Sequence, residues 1–307
     1  VNRIKAIDLL CGAGGWGCAT RGLPIDVILA VDLWDAACVT YGLNHPNVTI
    51  WAVDVRDPVV QEKIIAFAQD HDVRLVLGAI TCQWLSVYRH IQKVDHAERE
   101  ANRLTLDSCL CLVKQIEPQW WCLEDVTQIT RELPPFTPYE IFNAAHWSAQ
   151  RRRRCFIGEF PRPRKCPVGG AKLLRDCIRP GPYRIGRRLM GRIPQRARTF
   201  TKQTCLAAEL DRKAPTVLSQ CSRRDAEMAI VDPSLPGGMR NPEWQELAAI
   251  QGFPDDYLFY GSPTDVMKQV GGAVPIPLAH AILRGIVEQA ARHNSHAAIA
   301  ATHGGAR

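Results

Sequence analysis

Residues 4–17 read Ile4-Lys5-Ala6-Ile7-Asp8-Leu9-Leu10-Cys11-Gly12-Ala13-Gly14-Gly15-Trp16-Gly17. A short apolar run that stops in a cluster of glycines predicts a buried strand over 4–10 and then a loop. Glycine lacks a Cβ, so such a loop can bring its backbone close to a ligand; a tight turn with no ligand would look the same. Working outward, residues 26–31 read as a second strand ending at Asp32, and 35–44 as a helix. Strand 49–53 ends at Asp54, helix 59–69 follows, and strand 73–78 ends just before Thr81-Cys82-Gln83. Residues 101–116 are helical; Pro118 breaks that helix, and strand 119–123 ends at Glu124-Asp125. Strand and helix alternate throughout, the pattern of an α/β fold: a doubly wound, mostly parallel sheet with helices on both faces. Ligands of such sheets bind beyond the carboxyl ends of the strands, where Gly12 to Gly15, Asp32, Asp54, Cys82 and Glu124 all fall.

The chain has 307 residues, 46% apolar and 22% charged, which is ordinary globular usage and excludes wholesale disorder. No run approaches the ~18 apolar residues of a membrane span. The first residues lack the apolar core of a secretion signal. The expectation is a soluble, cytoplasmic chain with no membrane contact. Its 12 cysteines are scattered, without a Cys-x-x-Cys pair or zinc spacing, so no metal site is expected and most thiols read as small buried apolar groups.

Net charge is +7, and its distribution says more than its sum. Residues 151–200 hold 16 Lys+Arg against 2 Asp+Glu, a net of +14, so the remainder carries −7. Charges this dense repel one another without an anionic partner, which points to nucleic acid. A membrane surface is the competing reading. Pro161, Pro163, Pro167, Pro180, Pro182 and Pro194 forbid the long amphipathic helix it would need.

The texture changes after Gly158. Residues 1–158 read as the sheet domain, and 159–254, rich in Pro, Gly and Arg, as a second, smaller basic domain. Residues 243–250 read as a short helix. Residues 255–290 read as a return to the sheet domain, with a final helix over 275–291, and 291–307 as a frayed tail.

The strand ends carry chemistry. A glycine loop with Asp32 and Asp54 at the next two strand ends suggests a cofactor containing adenosine, because an acid there can bind ribose hydroxyls. Cys82, at a strand-to-helix turn, is either an activated thiolate or an inert buried thiol. Glu124 follows Trp120-Trp121-Cys122-Leu123. A carboxyl among such apolar neighbours tends to keep its proton and can donate it; a helix cap or surface acid is the bland reading. Gln150-Arg151-Arg152-Arg153-Arg154 leads into a strand, where alternate residues share a face. Arg152 and Arg154 therefore point one way, and Arg151 and Arg153 the other.

Taken in order, these stretches resemble the DNA (cytosine-5) methyltransferases. Asp8 to Gly15 is similar to the family's cofactor loop, and Thr81-Cys82-Gln83 to its Pro-Cys-Gln. Glu124-Asp125-Val126 is similar to Glu-Asn-Val, and Gln150 to Arg154 to Gln-x-Arg-x-Arg. Residues 243–255, with Gln251-Gly252-Phe253-Pro254, match the motif that closes the recognition region, and Gln269 to Pro275 the last motif. The resemblance implies a Rossmann-like methyltransferase fold and S-adenosylmethionine held by Leu10, Gly12, Ala13, Gly14, Gly15, Asp32, Leu33, Asp54, Val55, Thr81, Gly272, Ala273 and Val274. It implies a monomeric enzyme acting on double-stranded DNA, with residues 159–254 reading the target. Cys82 would attack carbon 6 of a flipped cytosine, Glu124 would engage ring nitrogen 3, and Arg154, helped by Arg152, would contact the carbonyl oxygen.

Thr81, Asp125, Gly272 and Leu10 depart from the usual Pro, Asn, Asn and Phe of those motifs. Divergence explains them. A sharper alternative is a pocket widened at Gly272 for a modified donor such as carboxy-S-adenosylmethionine, with Arg89 available to pair its carboxylate. A catalytically weak DNA-binding paralogue and an RNA cytosine methyltransferase are the remaining alternatives.

Overall fold

A computed structural model of the protein describes residues 3–80, 96–166, 170–178, 206–218, 228–231 and 239–304. The first half is built from β1 (Ile4–Leu9), α1 (Gly15–Ala19), β2 (Ile25–Asp32), α2 (Asp35–Asn44), β3 (Thr49–Ala52), α3 (Pro58–Asp70), β4 (Leu75–Ala79), α4 (His96–Ile116) and β5 (Trp120–Asp125). Then come β6 (Tyr139–Asn143) and β7 (Arg153–Ile157), three short strands β8 (Leu206–Ala208), β9 (Met228–Val231) and β10 (Met239–Arg240), and helices α5 (Trp244–Gln251), α6 (Pro263–Gly272) and α7 (Ile276–Gly304).

Seven strands form one sheet in the order β3-β2-β1-β4-β5-β7-β6. Strands β1 to β5 run parallel; β7 alone is reversed, antiparallel to both β5 and β6. The order turns back between β1 and β4, which opens a crevice beyond their carboxyl ends. In β1 the register sets Leu9 opposite both Val31 and Gly78, so the glycine loop leaves the sheet there. In β4 it sets Ala79 opposite Glu124, and Ile80 N–H donates to Glu124 O at 2.8 Å.

The sheet is buried on both faces because its inner strands are apolar on both faces. Ala6, Leu75, Leu77, Trp120, Cys122 and Phe156 face α1 and α7. Their chain neighbours Ile7, Val76, Trp121, Leu123, Cys155 and Ile157 face α3 and α4. This period of two is the pleat itself. Trp16 Nε1 donates to Gly78 O at 2.9 Å and pins α1 across the crevice floor.

Beyond Ile157 the structure adds to the sequence expectations at two helices. The first apolar cluster includes Leu174, Cys177, Ala214, Val217, Met228, Leu247 and Ile250 from the segment expected to form the basic domain. The final helix runs to Gly304, through the residues expected to fray from 291; that stretch is rich in alanine, the best helix former. Helix α6 lies where the sequence pattern marks no element. Its start is set by Ser262 and Asp265, each accepting from the other's backbone N–H, with Pro263 in the first turn. Among the described residues no single helix is long and apolar enough to cross a membrane, and no His/Cys/Asp/Glu group is placed to hold a metal.

Candidate active site

The glycine loop starts with backbone strain. Leu10 takes φ +51°, followed by Gly12 at +51° and Gly14 at +85°. A left-handed leucine is uncommon, and such strain is kept where the surroundings enforce it. Here Tyr257 holds the loop from beneath, its Oη donating to Ala13 O at 2.6 Å. A Cβ on Gly14 would lie 2.5 Å from Tyr257 Oη, and one on Gly15 would lie 2.8 Å from Val274 Cγ1. The loop is therefore packed tightly below. A Cβ on Gly12 would meet nothing within 4 Å among the described residues, so the loop is open above. A Gly14→Ala chain combines a steric clash with a disfavoured, left-handed φ. It should lose about 1–3 kcal/mol of stability, read as a lower urea midpoint, and should bind S-adenosylhomocysteine more weakly.

Asp32, at the end of β2, accepts from Gly12 N–H at 2.7 Å and from Trp34 N–H at 2.8 Å. It thereby ties the second strand end to the glycine loop. Burial raises its pKa, against the pull of those backbone donors. Next to it Leu33 is 57% exposed, an apolar side chain without cover beside the crevice. Asp54 follows β3 and holds Arg56 through both carboxylate oxygens, with Nη2 at 2.6 Å; this pairing lowers its pKa. Val55 is buried in the core beneath.

Glu124 lies on the fully buried strand β5, at 3% exposure. Burial raises its pKa, opposed by Arg154 and Arg152. Arg154 comes across the sheet from β7, with Nε 3.0 Å from Glu124 Oε1. The guanidinium pulls the carboxyl toward its charged form, but burial outweighs it and the net direction is upward. The expected alternation holds: Arg152 and Arg154 turn inward, while Arg151 and Arg153 are exposed. The two inward arginines differ, however. Arg152 donates from Nη1 to Val217 O at 2.7 Å and from Nη2 to Gly271 O and Ala273 O at 3.1 and 3.2 Å. It is occupied with backbone, and only Arg154 meets the carboxyl. Burial also lowers the Arg152 pKa to about 9.

The structure thus gathers Leu10 to Gly15, Asp32, Leu33, Asp54 and Glu124 along one edge of the sheet, with Arg154 reaching in. Val274 lies under Gly15, and Gly272 is exposed at the end of α6. Thr81, Cys82 and Arg89 lie outside the described residues. Sequence reasoning missed Tyr257 and the use of Gln150 and Gln251, which are buried polar groups joined across the fold; no local pattern marks such a contact. A loop open at Gly12, a carboxylate at Asp32, an apolar side chain at Leu33 and a second carboxylate at Asp54 suit an adenosine-bearing cofactor: backbone for its polar tail, acids for hydroxyl and amino donors, Leu33 for a ring face.

Comparison with known proteins bears on this site. Residues 4–133 and 184–288 match the family of C-5 cytosine-specific DNA methylases. The chain is 25% identical over 316 residues to the Type II methyltransferase M.HindV of Haemophilus influenzae, covering 92% of this chain and 96% of that one. It is also 25% identical to the Type II methyltransferase M.MthTI of Methanothermobacter thermautotrophicus, over 90% of this chain and 94% of that one. Among solved structures it is similar in fold to DNMT2 of Spodoptera frugiperda, with TM-score 0.68, 14% identity and coverage of 92% and 99%. The Entamoeba histolytica methyltransferase EhMeth gives TM-score 0.72 at 11% identity, with coverage of 94% and 99%.

Proposed function

This chain belongs to the C-5 cytosine-specific DNA methylase family, and from that premise we propose that Cys82, Glu124 and Arg154 carry its transfer of a methyl group to carbon 5 of cytosine in DNA. The observation that carries the assignment is the buried Glu124 with Arg154 Nε 3.0 Å from its Oε1, at the strand edge that also holds the glycine loop. S-adenosylmethionine, when bound, supplies a methyl group on a positively charged sulfur; Gly12, Ala13, Gly14, Asp32, Leu33 and Asp54 would hold it.

Carbon 5 of cytosine is a poor nucleophile while the ring stays aromatic. The Cys82 thiolate adds to carbon 6, and the ring electrons move toward nitrogen 3, where the neutral Glu124 carboxyl delivers its proton. Carbon 5 is then electron-rich and takes the methyl group. Loss of the carbon-5 proton to water restores the carbon 5–carbon 6 double bond and expels the Cys82 sulfur as thiolate, and nitrogen 3 returns its proton to Glu124. Arg154 faces the carbonyl oxygen of the base and keeps positive charge beside Glu124. Arg152 acts through the backbone it holds, as a positioning residue. These atoms are out of reach in a stacked duplex, so the base must leave the helix.

The basic segment supports a duplex DNA partner. Arg151, Arg153, Arg162, Arg164, Lys165, Lys172 and Arg175 are all exposed. With several phosphates neutralised, DNA affinity should fall at least ~10²-fold between about 50 and 200 mM salt. A flat titration by fluorescence anisotropy would give this segment another purpose.

A second reading keeps a larger donor group. A Cβ on Gly272 meets nothing within 4 Å among the described residues, so the glycine is not there to permit a close approach. One experiment addresses both readings: nucleoside mass spectrometry with bisulfite sequencing of DNA from cells expressing the chain. 5-Methylcytosine at a defined set of sites is the expected result. A heavier cytosine would favour the second reading, and unmodified DNA would overturn both.

A further inference from the structure

Buried polar side chains join segments far apart in the sequence. Residues 214–217 run beside 149–152: Ala214 N–H donates to Ala149 O at 2.7 Å, Arg151 N–H to Ala214 O at 2.8 Å, and Thr216 Oγ1 to Arg151 O at 2.7 Å. From there a chain of amides crosses the interior. Val217 N–H donates to Gln150 Oε1 at 3.2 Å, Gln150 Nε2 donates to Gln251 Oε1, and Gln251 Nε2 donates to Ala273 O. Arg152 makes a second bridge between the same ends, from Val217 O to Gly271 O and Ala273 O. Gln150 and Gln251 are fully buried, and Arg152 nearly so.

The two ends fix the direction of the amides. A backbone N–H at Val217 needs an acceptor and a backbone C=O at Ala273 needs a donor, so each glutamine has one orientation that satisfies both. Such a network tolerates little sliding, because a shift of either end leaves buried polar atoms without partners. One end, through residues 209–213, continues into β8 of the small three-stranded sheet. The other continues into Val274, which packs under Gly15 of the glycine loop.

We propose that the Gln150–Gln251 amide pair couples DNA binding to cofactor binding. This rests on the function proposed above, in which the small sheet belongs to the DNA-holding region and Gly15 to the cofactor loop. Seating DNA fixes 214–217; the amides and Arg152 pass that order to Ala273 and Val274; the floor of the glycine loop is then fixed before the cofactor arrives. By linkage the cofactor tightens DNA binding by the same factor.

The test is calorimetric titration of S-adenosylhomocysteine into the full chain, without and with a mixed-sequence plasmid duplex. The native chain should bind it about tenfold tighter with DNA present. Gln251→Leu and Gln150→Leu should bring that ratio close to one, raise the KM for S-adenosylmethionine, and leave kcat much less affected. Gln251→Glu keeps an acceptor for Gln150 but loses the donor to Ala273, and should also uncouple. A merely structural role would lower the unfolding midpoint of these variants and leave the ratio intact, which overturns the inference but not the proposed function. A native chain with a ratio of one overturns it directly. A native chain that binds neither ligand overturns both.

Discussion

A Cys82→Ser chain should bind duplex DNA as tightly as the native chain, yet transfer methyl groups at least about 10³-fold more slowly, which is about 4 kcal/mol on the barrier. The reason lies in the acidity of the nucleophile. A free thiol is partly ionised near neutral pH, whereas a serine hydroxyl is not, and no other group is proposed to add to carbon 6. Most of the described cysteines are poor alternatives to this sulfur. Burial pushes the Cys18, Cys38 and Cys177 thiols to about 11 and the Cys109 and Cys155 thiols to about 12, while Cys11 and Cys122 are raised further. Such thiols stay protonated and inert. A duplex carrying 5-fluorocytosine reads the step directly, since fluorine does not leave as a proton does and the adduct persists. The native chain should run as a covalent complex on a denaturing gel and the variant should not. An adduct with the variant would move the nucleophile elsewhere. Preference for an RNA strand in the same assay would favour an RNA substrate.

Glu124→Gln should slow the chemical step about 10²–10³-fold without weakening DNA binding. The amide keeps the shape and can still donate a hydrogen bond to nitrogen 3, but it cannot release a proton as the thiol adds. The pH dependence gives a second readout. Burial raises the Glu124 pKa, so the carboxyl keeps its proton to a higher pH than an ordinary glutamate. The donating form is lost as pH rises through that raised value. Single-turnover rates of the native chain should therefore carry an alkaline limb from this group, and the variant should lack it. A variant with the native rate and limb would make Glu124 a structural acid. Arg154 would then be the residue to test, because its Nε stands 3.0 Å from the same oxygen.

Local sequence determined much of this protein. The alternating strands and helices, the strand ends at Asp32, Asp54 and Glu124, and the facing of Arg152 and Arg154 are consequences of side-chain period and of where apolar runs stop. Each involves residues a few positions apart, so neighbours in the chain carry the information. The tertiary structure decided what those residues meet. Arg152 and Arg154 share a strand face and look equivalent in sequence, but one is bound to the carbonyls of Val217, Gly271 and Ala273 and the other to Glu124. Tyr257 under Ala13 and Gln251 on Ala273 are likewise contacts across the fold, 244 and 22 residues apart in the chain. Burial and partner choice depend on which surfaces the whole chain brings together, and no window of residues contains that.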